Sequence, residues 1–320
     1  MLLISARQLR ELVPMRAAVD AVRQAFIDVS RGGIEQPTRL ALEGGTALAM
    51  LARDRATGGT VLKGITIRPH NPAAGVPAVQ AVVCWFDGAT GTPLALIDGT
   101  ALTAMRTGAA SGAATELLAR RDAAVLAMIG AGGQAADQVR AVCAVRPIRE
   151  VRIAARTPAR VAPLVETLGR ELAPISFVAA SGVGEALAGA DVVCTATDAE
   201  VPLFALDDLP GTVHVNAIGA YTERMCELPA DLLAAASALA VDRIDVALVE
   251  AGDVLQAVRA GRLTTDRLVE LGDLLARGDP PPGGRTVFKS VGIAAQDWAL
   301  ARLAVDRALA SATLIPRFEP

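Results

Sequence analysis

The sequence predicts an α/β fold built from a doubly wound parallel sheet and a separate α+β region, and three observations support this. From residue 123 onward, apolar runs of strand length alternate with helical patterns, as in a parallel sheet covered by helices on both faces. Between Arg39 and Ile97, short apolar runs are separated by Gly, Pro and Asn turns, which favours antiparallel strands. At residues 130–135, a glycine-rich turn joins an apolar run to a helical pattern.

The first part of the chain opens with a helical region and continues with strands. Apolar residues recur near helical spacing across residues 5–31, which predicts an amphipathic helical region. Strands are then predicted at Ala47–Ala52, Val61–Ile67, Val79–Phe86 and Pro93–Ile97. A helix is predicted from near Leu102 to Leu117.

The second part alternates strands with helical stretches. The predicted strands are residues 124–129, 150–155, 174–179, 191–196, 212–217 and 237–242. From Val287, a strand-like piece leads into a long Ala- and Leu-rich helix that ends near Ala310 and could pack back onto the first part. We therefore predict a first domain of residues 1–118 with 303–320 and a second domain of residues 119–302.

Composition excludes several classes of protein. The chain has 320 residues, 52% of them hydrophobic and 20% charged, which is enough for two domains with their own cores. A net charge of −3 and the lack of a basic run predict no nucleic-acid partner, and no apolar run is long enough to span a membrane. The four cysteines are scattered and the N-terminus does not resemble a signal peptide, so we expect a cytoplasmic protein. Two unclustered histidines predict no metal site.

The glycine-rich turn has the residue types that a dinucleotide pyrophosphate requires. Gly130–Ala135 reads G-A-G-G-Q-A and lies between the apolar run 125–129 and a helical stretch. The first glycine allows a tight turn, the second lets the backbone approach the phosphates, and the small last residue lets helix and strand pack closely. The helix N-terminus adds free N–H groups and a positive dipole end. Plain strand-to-helix connections are also glycine-rich, but the flanking strand and helix favour a Rossmann dinucleotide site.

The end of the next strand indicates which dinucleotide is preferred. In such folds an acidic residue at this place binds the ribose 2′-hydroxyl of NAD, whereas an arginine accommodates the 2′-phosphate of NADP. Here the strand runs into Ala155, Arg156 and Thr157. Arg160 lies one turn further on, and no carboxylate is present. Arg156 could be a solvated loop residue, but the missing acid and the present arginine together predict NADPH, with NADH as the alternative.

Three cationic residues of the first domain, Arg39, Lys63 and Arg106, lie among apolar or small residues. Arg39 follows a turn, and Arg106 lies among small residues that would let a ligand approach a helix terminus. A lysine inside a strand-like run often faces solvent, and spacing alone favours that interpretation for Lys63. Taken singly, none of the three defines a site.

Together with their surroundings, these residues resemble a known family. The segments that carry the resemblance are Gln36–Arg39, Val61–Gly64, Asp98–Ser111, Gly130–Ala135, Val215–Ala220, Glu250–Asp253 and Thr286–Gly292. They resemble the ornithine cyclodeaminase/mu-crystallin family over nearly the whole chain. The D-G-T-x-L-T-x-x-R-T and V-F-K-S-V-G segments are specific to that family.

The resemblance implies a homodimer whose first domain, joined by the C-terminal helix, carries the substrate site and the subunit interface. It also implies that Arg39, Lys63 and Arg106 bind the carboxylate of an α-amino or α-imino acid, which would orient it for hydride transfer. The second domain would hold the nicotinamide cofactor. The predicted cofactor-binding residues are Arg106, Thr107, Gly130, Gly132, Gly133, Gln134, Ala135, Ala155, Arg156, Thr157, Arg160, Thr195, Thr197, Val215, Ala217, Ile218 and Ser290.

One position departs from the family members that release ammonia. Those members carry an aspartate two residues after the glycine of the N-A-I-G segment, where this chain has Tyr221. A phenol with a reference pKa of about 10 cannot replace a carboxylate base near neutral pH. Reduction of a preformed C=N bond needs less, so Lys63 and Tyr221 are the predicted catalytic residues. Tyr221 would act as a wall or a proton donor, and Asp297 or water are alternative proton sources.

The sequence therefore predicts NADPH-dependent reduction of cyclic ketimine carboxylates, which belongs to proline and amino-acid metabolism. The expected substrates are Δ1-pyrroline-2-carboxylate, which yields L-proline, or Δ1-piperideine-2-carboxylate, which yields L-pipecolate, or both, and the sequence leaves the preferred ring size open. Three alternatives remain within the family. They are an ornithine cyclodeaminase, an enzyme like alanine dehydrogenase, and a non-catalytic protein that binds small ligands as mu-crystallin does.

Overall fold

The structure, a computed structural model, describes residues 1–42, 46–68, 70–278 and 283–310. The strands are β1 (Leu2–Ile4), β2 (Ile34–Glu35), β3 (Leu40–Ala41), β4 (Ala47–Asp54), β5 (Thr60–Ile67), β6 (Val79–Phe86), β7 (Pro93–Asp98), β8 (Val125–Ile129), β9 (Glu150–Ala154), β10 (Ser176–Ala179), β11 (Val192–Thr195), β12 (Val213–Ala217), β13 (Ala238–Val241), β14 (Leu268–Glu270) and β15 (Arg285–Lys289). The α-helices are α1 (Ala6–Leu12), α2 (Met15–Ser30), α3 (Gly99–Leu118), α4 (Ala135–Val145), α5 (Val161–Glu171), α6 (Val183–Leu187), α7 (Ala230–Ala235), α8 (Ile244–Glu250), α9 (Gly252–Arg259), α10 (Leu271–Arg277) and α11 (Ala294–Ala310).

The chain forms two compact units. The first comprises Met1–Ala109 and the described residues from Ile293 onward, and the second comprises Ala110–Gly292. These divisions lie at residues 109 and 292 rather than at the predicted 118 and 302. Helix α11 lies wholly in the first unit, whereas the division at residue 109 falls inside α3.

The first unit is built on a seven-stranded mixed sheet. Its strand order is β1-β7-β6-β5-β4-β2, with β3 paired to β4. Among the described strands of this sheet, β1 and β7 run parallel and the other pairs are antiparallel. Helix α11 packs on α2 and against β4, β5 and β6. The predicted α+β region is thus confirmed, although the short strands β1, β2 and β3 had not been predicted.

Proline divides the predicted N-terminal helical region in two. Helix α1 ends at Leu12 and α2 begins at Met15, because Pro14 lacks an N–H group and its ring is tolerated only at a helix start. Helix α2 then buries one face, as its apolar spacing predicted. The buried residues are Ala18, Val19, Val22, Ala25, Phe26 and Val29.

The second unit is an eight-stranded parallel sheet in the order β10-β9-β8-β11-β12-β15-β13-β14. Successive residues of β8 enter different apolar clusters, with Leu126 packed among residues of α4 and α5 and Ala127 among residues of α6, α7 and α9. Because neighbouring side chains of a strand point to opposite faces, helices cover both faces of this sheet. The doubly wound fold predicted for this part is confirmed.

All six predicted strands of the second part are present as β8 to β13, each within two residues of its predicted ends. The short strand β14 had not been predicted. Within the described ranges, no helix combines the length and the apolar character that crossing a membrane requires.

Candidate functional site

Three charged side chains meet inside the first unit. The ammonium of Lys63 in β5 lies 2.6 Å from Asp297 Oδ2 in α11, and Arg106 Nε in α3 lies 3.3 Å from Asp297 Oδ1. The side chains of Lys63 and Asp297 are 0% exposed, and that of Arg106 is 7% exposed. We call Lys63, Arg106 and Asp297 the charged cluster.

Lys63 belongs to the buried face of its strand. Val61 and Ile65, two residues to either side, are buried, whereas Leu62 between them is 40% exposed on the opposite face. Side chains at alternate positions of a strand share a face, so Lys63 must point inward with Val61 and Ile65. The solvent-facing interpretation that spacing had favoured for Lys63 is therefore wrong.

Burial dominates the electrostatics of Lys63 and lowers its pKa from 10.5 to about 7. The charge of Asp297 opposes this shift, whereas the charges of Arg106 and Arg39 lower the pKa of Lys63 further. When Lys63 is protonated, two buried cations share one carboxylate, and the half-buried Arg39 adds a further positive charge nearby. Uncompensated buried charge is unfavourable, so the charged cluster favours an anionic ligand such as a carboxylate.

The start of α11 holds Arg106 in place. Gln296 Oε1 accepts hydrogen bonds from Arg106 Nη1 and from the N–H of Ile293, and Gln36 Oε1 accepts one from Ala295 N at 2.9 Å. Arg106 therefore contacts two consecutive residues of α11, Gln296 through Nη1 and Asp297 through Nε, and these contacts fix the direction of its guanidinium.

The predicted cofactor residues of the second unit lie at one edge of its sheet. Strands β9, β8, β11, β12 and β15 are parallel neighbours, so their C-terminal ends meet at the same edge. The residues in or after these ends are, in that order, Ala155–Thr157, Gly130–Ala135, Thr195–Thr197, Val215–Ile218 and Ser290. Strand order reverses between β8 and β11, which is where open parallel sheets bind their ligands. We call this edge the nucleotide edge.

The glycine-rich turn fits a pyrophosphate. Gly130 has φ +112°, and a Cβ there would lie 2.5 Å from the carbonyl oxygen of Ala196, so only glycine is accommodated. Gly132 and Gly133 are exposed, and a Cβ on either would meet nothing within 4 Å. Helix α4 begins just after them at Ala135 without a side-chain cap. The N–H of Ala135 donates to Gly132 O at 3.1 Å, but no side chain of the N-cap residue Gln134 occupies this helix end, which leaves it available to an anion.

The residues predicted to select NADPH are exposed, and Arg156 has a partner that had not been predicted. Its Nη2 atom lies 3.1 Å from Oδ2 of Asp198, on the loop after β11, with side chains 80% and 71% exposed. Thr157 and Arg160 are also exposed. An exposed ion pair of this kind is weak, so Arg156 can exchange Asp198 for a phosphate.

Other predicted cofactor residues make internal contacts. The Thr107 hydroxyl donates to Thr103 O at 2.7 Å within α3 in the first unit, where Arg106 also lies. The Ser290 hydroxyl donates to both oxygens of Asp242, at 3.0 and 2.8 Å. The side chains of Val215 and Ala217 are fully buried in the core of the second unit.

Tyr221 lies in the second unit, on the loop after β12, and is 36% exposed. Burial raises its pKa, and the charge of Asp198 raises it further. The phenol therefore keeps its proton near neutral pH, so it can donate a hydrogen bond or a proton but cannot act as a base.

Two buried carboxylates had been assigned no role from the sequence. Glu227 accepts hydrogen bonds from the loops after β11 and β12, and Asp242 accepts them from the residues after β15. Their partners include five backbone N–H groups, which carry no residue-type signal, and the hydroxyls of Thr195, Thr197 and Ser290.

These features define a class of protein: a two-unit α/β chain with a dinucleotide-type edge in one unit and a buried, cation-rich site in the other. The chain belongs to the ornithine cyclodeaminase/mu-crystallin family, whose sequence profile matches residues 1–312. The family predicted from the sequence is thereby confirmed.

Relatives and solved structures of the family are similar to nearly the whole chain. It is 35% identical over 317 residues to a Δ1-pyrroline-2-carboxylate reductase of Bacillus cereus, which covers 97% of each protein. The structure of Thermococcus litoralis Δ1-pyrroline-2-carboxylate reductase with NADH and L-proline has 32% identity and a TM-score of 0.91, covering 97% of this chain and 98% of that one. An archaeal alanine dehydrogenase dimer with bound NAD has 30% identity and a TM-score of 0.87, covering 97% and 96%.

Proposed function

We propose that the chain reduces cyclic ketimine carboxylates, with Δ1-pyrroline-2-carboxylate and Δ1-piperideine-2-carboxylate as substrates and NADPH as the preferred cofactor. Its similarity to reductases that act on cyclic imines makes it an NAD(P)H-dependent oxidoreductase that acts on C=N bonds. The observation that carries the choice of substrate class is the charged cluster, in which Lys63 and Arg106 share the single carboxylate of Asp297.

The substrate carboxylate would compensate the excess positive charge of this cluster. Arg106 offers a planar, fixed guanidinium, Lys63 a compact ammonium, and Arg39 a third cation. Two or three charge-assisted contacts to one carboxylate fix the orientation of the small ring to which it is attached. The first unit is therefore the proposed substrate domain, and the second the proposed cofactor domain.

Proton positions follow from the two proposed catalytic residues. With a pKa of about 7, the amine of Lys63 is partly protonated at neutral pH, and an arriving carboxylate favours its ammonium form. A reduced nicotinamide held at the nucleotide edge would supply the hydride for the carbon of the C=N bond. Tyr221 keeps its proton and serves as a wall or a proton donor. No group with the properties of a base is needed, in contrast to the release of ammonia.

The preference for NADPH is proposed from the end of β9. Arg156 and Arg160 are exposed and cationic, and the Thr157 hydroxyl can donate a hydrogen bond to a 2′-phosphate. Asp198 competes for Arg156, so the preference over NADH is expected to be modest. The Thermococcus litoralis relative carries NADH in its solved complex.

A homodimer is proposed through the outer face of the first unit's sheet. The cross-strand register aligns one apolar residue from each of five strands, and this row consists of Leu3, Leu96, Cys84, Leu62 and Leu51. Leu51 and Leu62 are 42% and 40% exposed. Apolar rows of this kind mark interaction surfaces. A second copy of the chain would bury this apolar row.

A cytoplasmic location remains a prediction from composition.

The test is the loss of NADPH absorbance when purified protein is mixed with either cyclic ketimine and no ammonia. Reduction to L-proline or L-pipecolate is expected with both rings, and weaker turnover with NADH. Conversion of L-ornithine to proline and ammonia without net cofactor change would instead establish a cyclodeaminase. A requirement for ammonia with a keto acid would establish an amino-acid dehydrogenase. Tight NADPH binding without any turnover would favour a ligand-binding protein.

A further inference from the structure

A single buried carboxylate joins two loops of the nucleotide edge. Glu227 is fully buried, and Thr197 donates to its Oε1 through the backbone N–H at 2.7 Å and the hydroxyl at 2.8 Å. Its Oε2 accepts from the Thr195 hydroxyl at 2.9 Å and from Gly219 N and Ala220 N at 2.7 and 3.3 Å. The ends of β11 and β12 are therefore tied to the same side chain.

The two loops also touch each other directly at Gly219. A Cβ at this position would lie 2.3 and 2.4 Å from the carbonyl oxygen and nitrogen of Thr197 and 2.5 Å from Glu227 Oε1. Glycine is thus required for the approach that lets one carboxylate reach both backbones.

The main chain of Glu227 is anchored to a third strand end. The N–H groups of Glu227 and Leu228 donate to Asp253 Oδ1 at 2.6 and 2.9 Å. Asp253 Oδ2 lies 2.8 Å from the ammonium of Lys289, the last residue of β15, and both side chains are 0% exposed. The pKa of Glu227 is raised, mainly by burial and also by the charge of Asp253, while the charge of Lys289 and the hydrogen bonds from Thr197 oppose this shift. Three backbone N–H groups, those of Thr197, Gly219 and Ala220, donate to the Glu227 side chain, and a carboxylate can accept all of them because neither of its oxygens carries a proton.

We propose that Glu227 is a positioning residue that holds the segments 195–197 and 219–220 at the nucleotide edge, and thereby sets the affinity for the nicotinamide nucleotide. It also fixes the start of the loop that carries Tyr221, the residue after Ala220. This inference rests on the proposed function, because it takes the nucleotide to bind at this edge.

The main test replaces Glu227 with Gln. The amide NH2 takes the place of one oxygen and faces backbone N–H donors, so contacts to one or both loops are lost. We expect the dissociation constant of NADPH, measured by fluorescence titration, to rise at least about 10-fold. Hydrogen–deuterium exchange of the nucleotide-free protein should rise in residues 195–200 and 218–222 more than elsewhere. Glu227→Asp keeps both acceptor oxygens and should recover part of the affinity.

Asp191 provides a matched control at the opposite edge of the same sheet. Its Oδ2 accepts from Ala124 N at 2.8 Å and Val125 N at 3.0 Å, next to the starts of β8 and β11. Asp191→Asn likewise changes a carboxylate that accepts hydrogen bonds from backbone N–H groups, but it does so at the edge of the sheet opposite the nucleotide edge. We expect it to lower the melting temperature without changing the dissociation constant of NADPH.

Each outcome decides the inference. It is supported if Glu227→Gln weakens NADPH binding and loosens the two segments while Asp191→Asn does neither. It is overturned if Glu227→Gln binds NADPH as the wild type does, or if Asp191→Asn weakens binding equally. If Glu227→Gln does not fold, Glu227→Asp decides, with an intermediate affinity expected and wild-type affinity contradicting the inference. A wild type that binds NADPH but reduces no ketimine removes only the substrate assignment. A wild type that binds neither nucleotide overturns both proposals.

Discussion

The charge of Asp297 should keep Lys63 partly protonated at neutral pH, and Asp297→Asn tests this. The lysine nitrogen lies 2.6 Å from Asp297 Oδ2. At an effective dielectric constant of about 20, that distance corresponds to about 6 kcal/mol of attraction, or more than about 4 pKa units. Relaxation and entry of water will reduce the effect, so we expect the pKa of Lys63 to fall from about 7 by at least about 2 units.

The consequence is a shifted pH dependence of ketimine reduction. The substrate carboxylate binds the ammonium form of Lys63, so kcat/KM should decline in the wild type as pH rises through about 7. In Asp297→Asn this decline should lie at lower pH, because removing the negative charge disfavours the ammonium. Lys63→Met removes the titrating group, so the decline with pH should vanish. At low pH, kcat/KM should fall about 30- to 150-fold, which corresponds to a loss of about 2–3 kcal/mol of transition-state stabilisation.

Steady-state kinetics of all three proteins between pH 5 and 10 provide the assay. Ionisation of the substrate is common to the three proteins, so it cancels when the variant profiles are divided by that of the wild type. A decline near pH 7 that persists in Lys63→Met would assign it to another group. A decline that does not move in Asp297→Asn would refute the role of that carboxylate.

Stability offers a second measure of the same coupling. The folded-state pKa of Lys63 is lower than the unfolded value of 10.5, so the folded protein binds fewer protons between about pH 7 and 10.5. The free energy of unfolding should therefore rise with pH across that window in the wild type. In Lys63→Met, the corresponding contribution should be absent, and an unchanged slope would contradict a buried, titrating Lys63.

Three further predictions concern the second unit. Gly130→Ala should lower the melting temperature, because φ is +112° and the new Cβ would lie 2.5 Å from a carbonyl oxygen. Gly132→Ala should keep the wild-type melting temperature but weaken NADPH binding, because its Cβ would meet no protein atom within 4 Å. Arg156→Ala should raise the dissociation constant of NADPH about 10-fold and leave that of NADH unchanged. Asp198→Asn should lower the dissociation constant of NADPH and leave that of NADH unchanged. Equal effects on both nucleotides would contradict a contact between Arg156 and the 2′-phosphate. Tyr221→Phe should lower kcat for ketimine reduction if the phenol donates the proton, and rates equal to wild type at every pH would leave Tyr221 as a wall only.

Much of the fold follows from local pattern. The strands β8 to β13 and the turn after β8 could be predicted because alternation, apolar runs and glycine spacing are properties of neighbouring residues. The short strands β2, β3 and β14 could not, since two or three residues carry no period and exist only through a partner strand.

The site shows the same division. Arg156 could be found from its place after β9, but its partner Asp198 lies 42 residues further on, on the loop after β11, which is not the next strand in sequence. Lys63 was visible as an unusual cation, yet spacing alone suggested solvent. Its burial depends on the apolar residues two positions to either side and on Asp297, which is 234 residues away.

The sequence by itself determined the order of elements, the glycine turn at Gly130 and the residue types available for a carboxylate and a dinucleotide. These depend on backbone conformation and side-chain chemistry that each residue carries with it. Only the tertiary structure decided which charges meet. The pairing of Lys63 with Asp297 and the three hydrogen bonds from Thr195 and Thr197 to Glu227 join residues that are at least 30 positions apart in sequence. Burial and distance set the strength of such contacts, and neither is defined until the chain has folded.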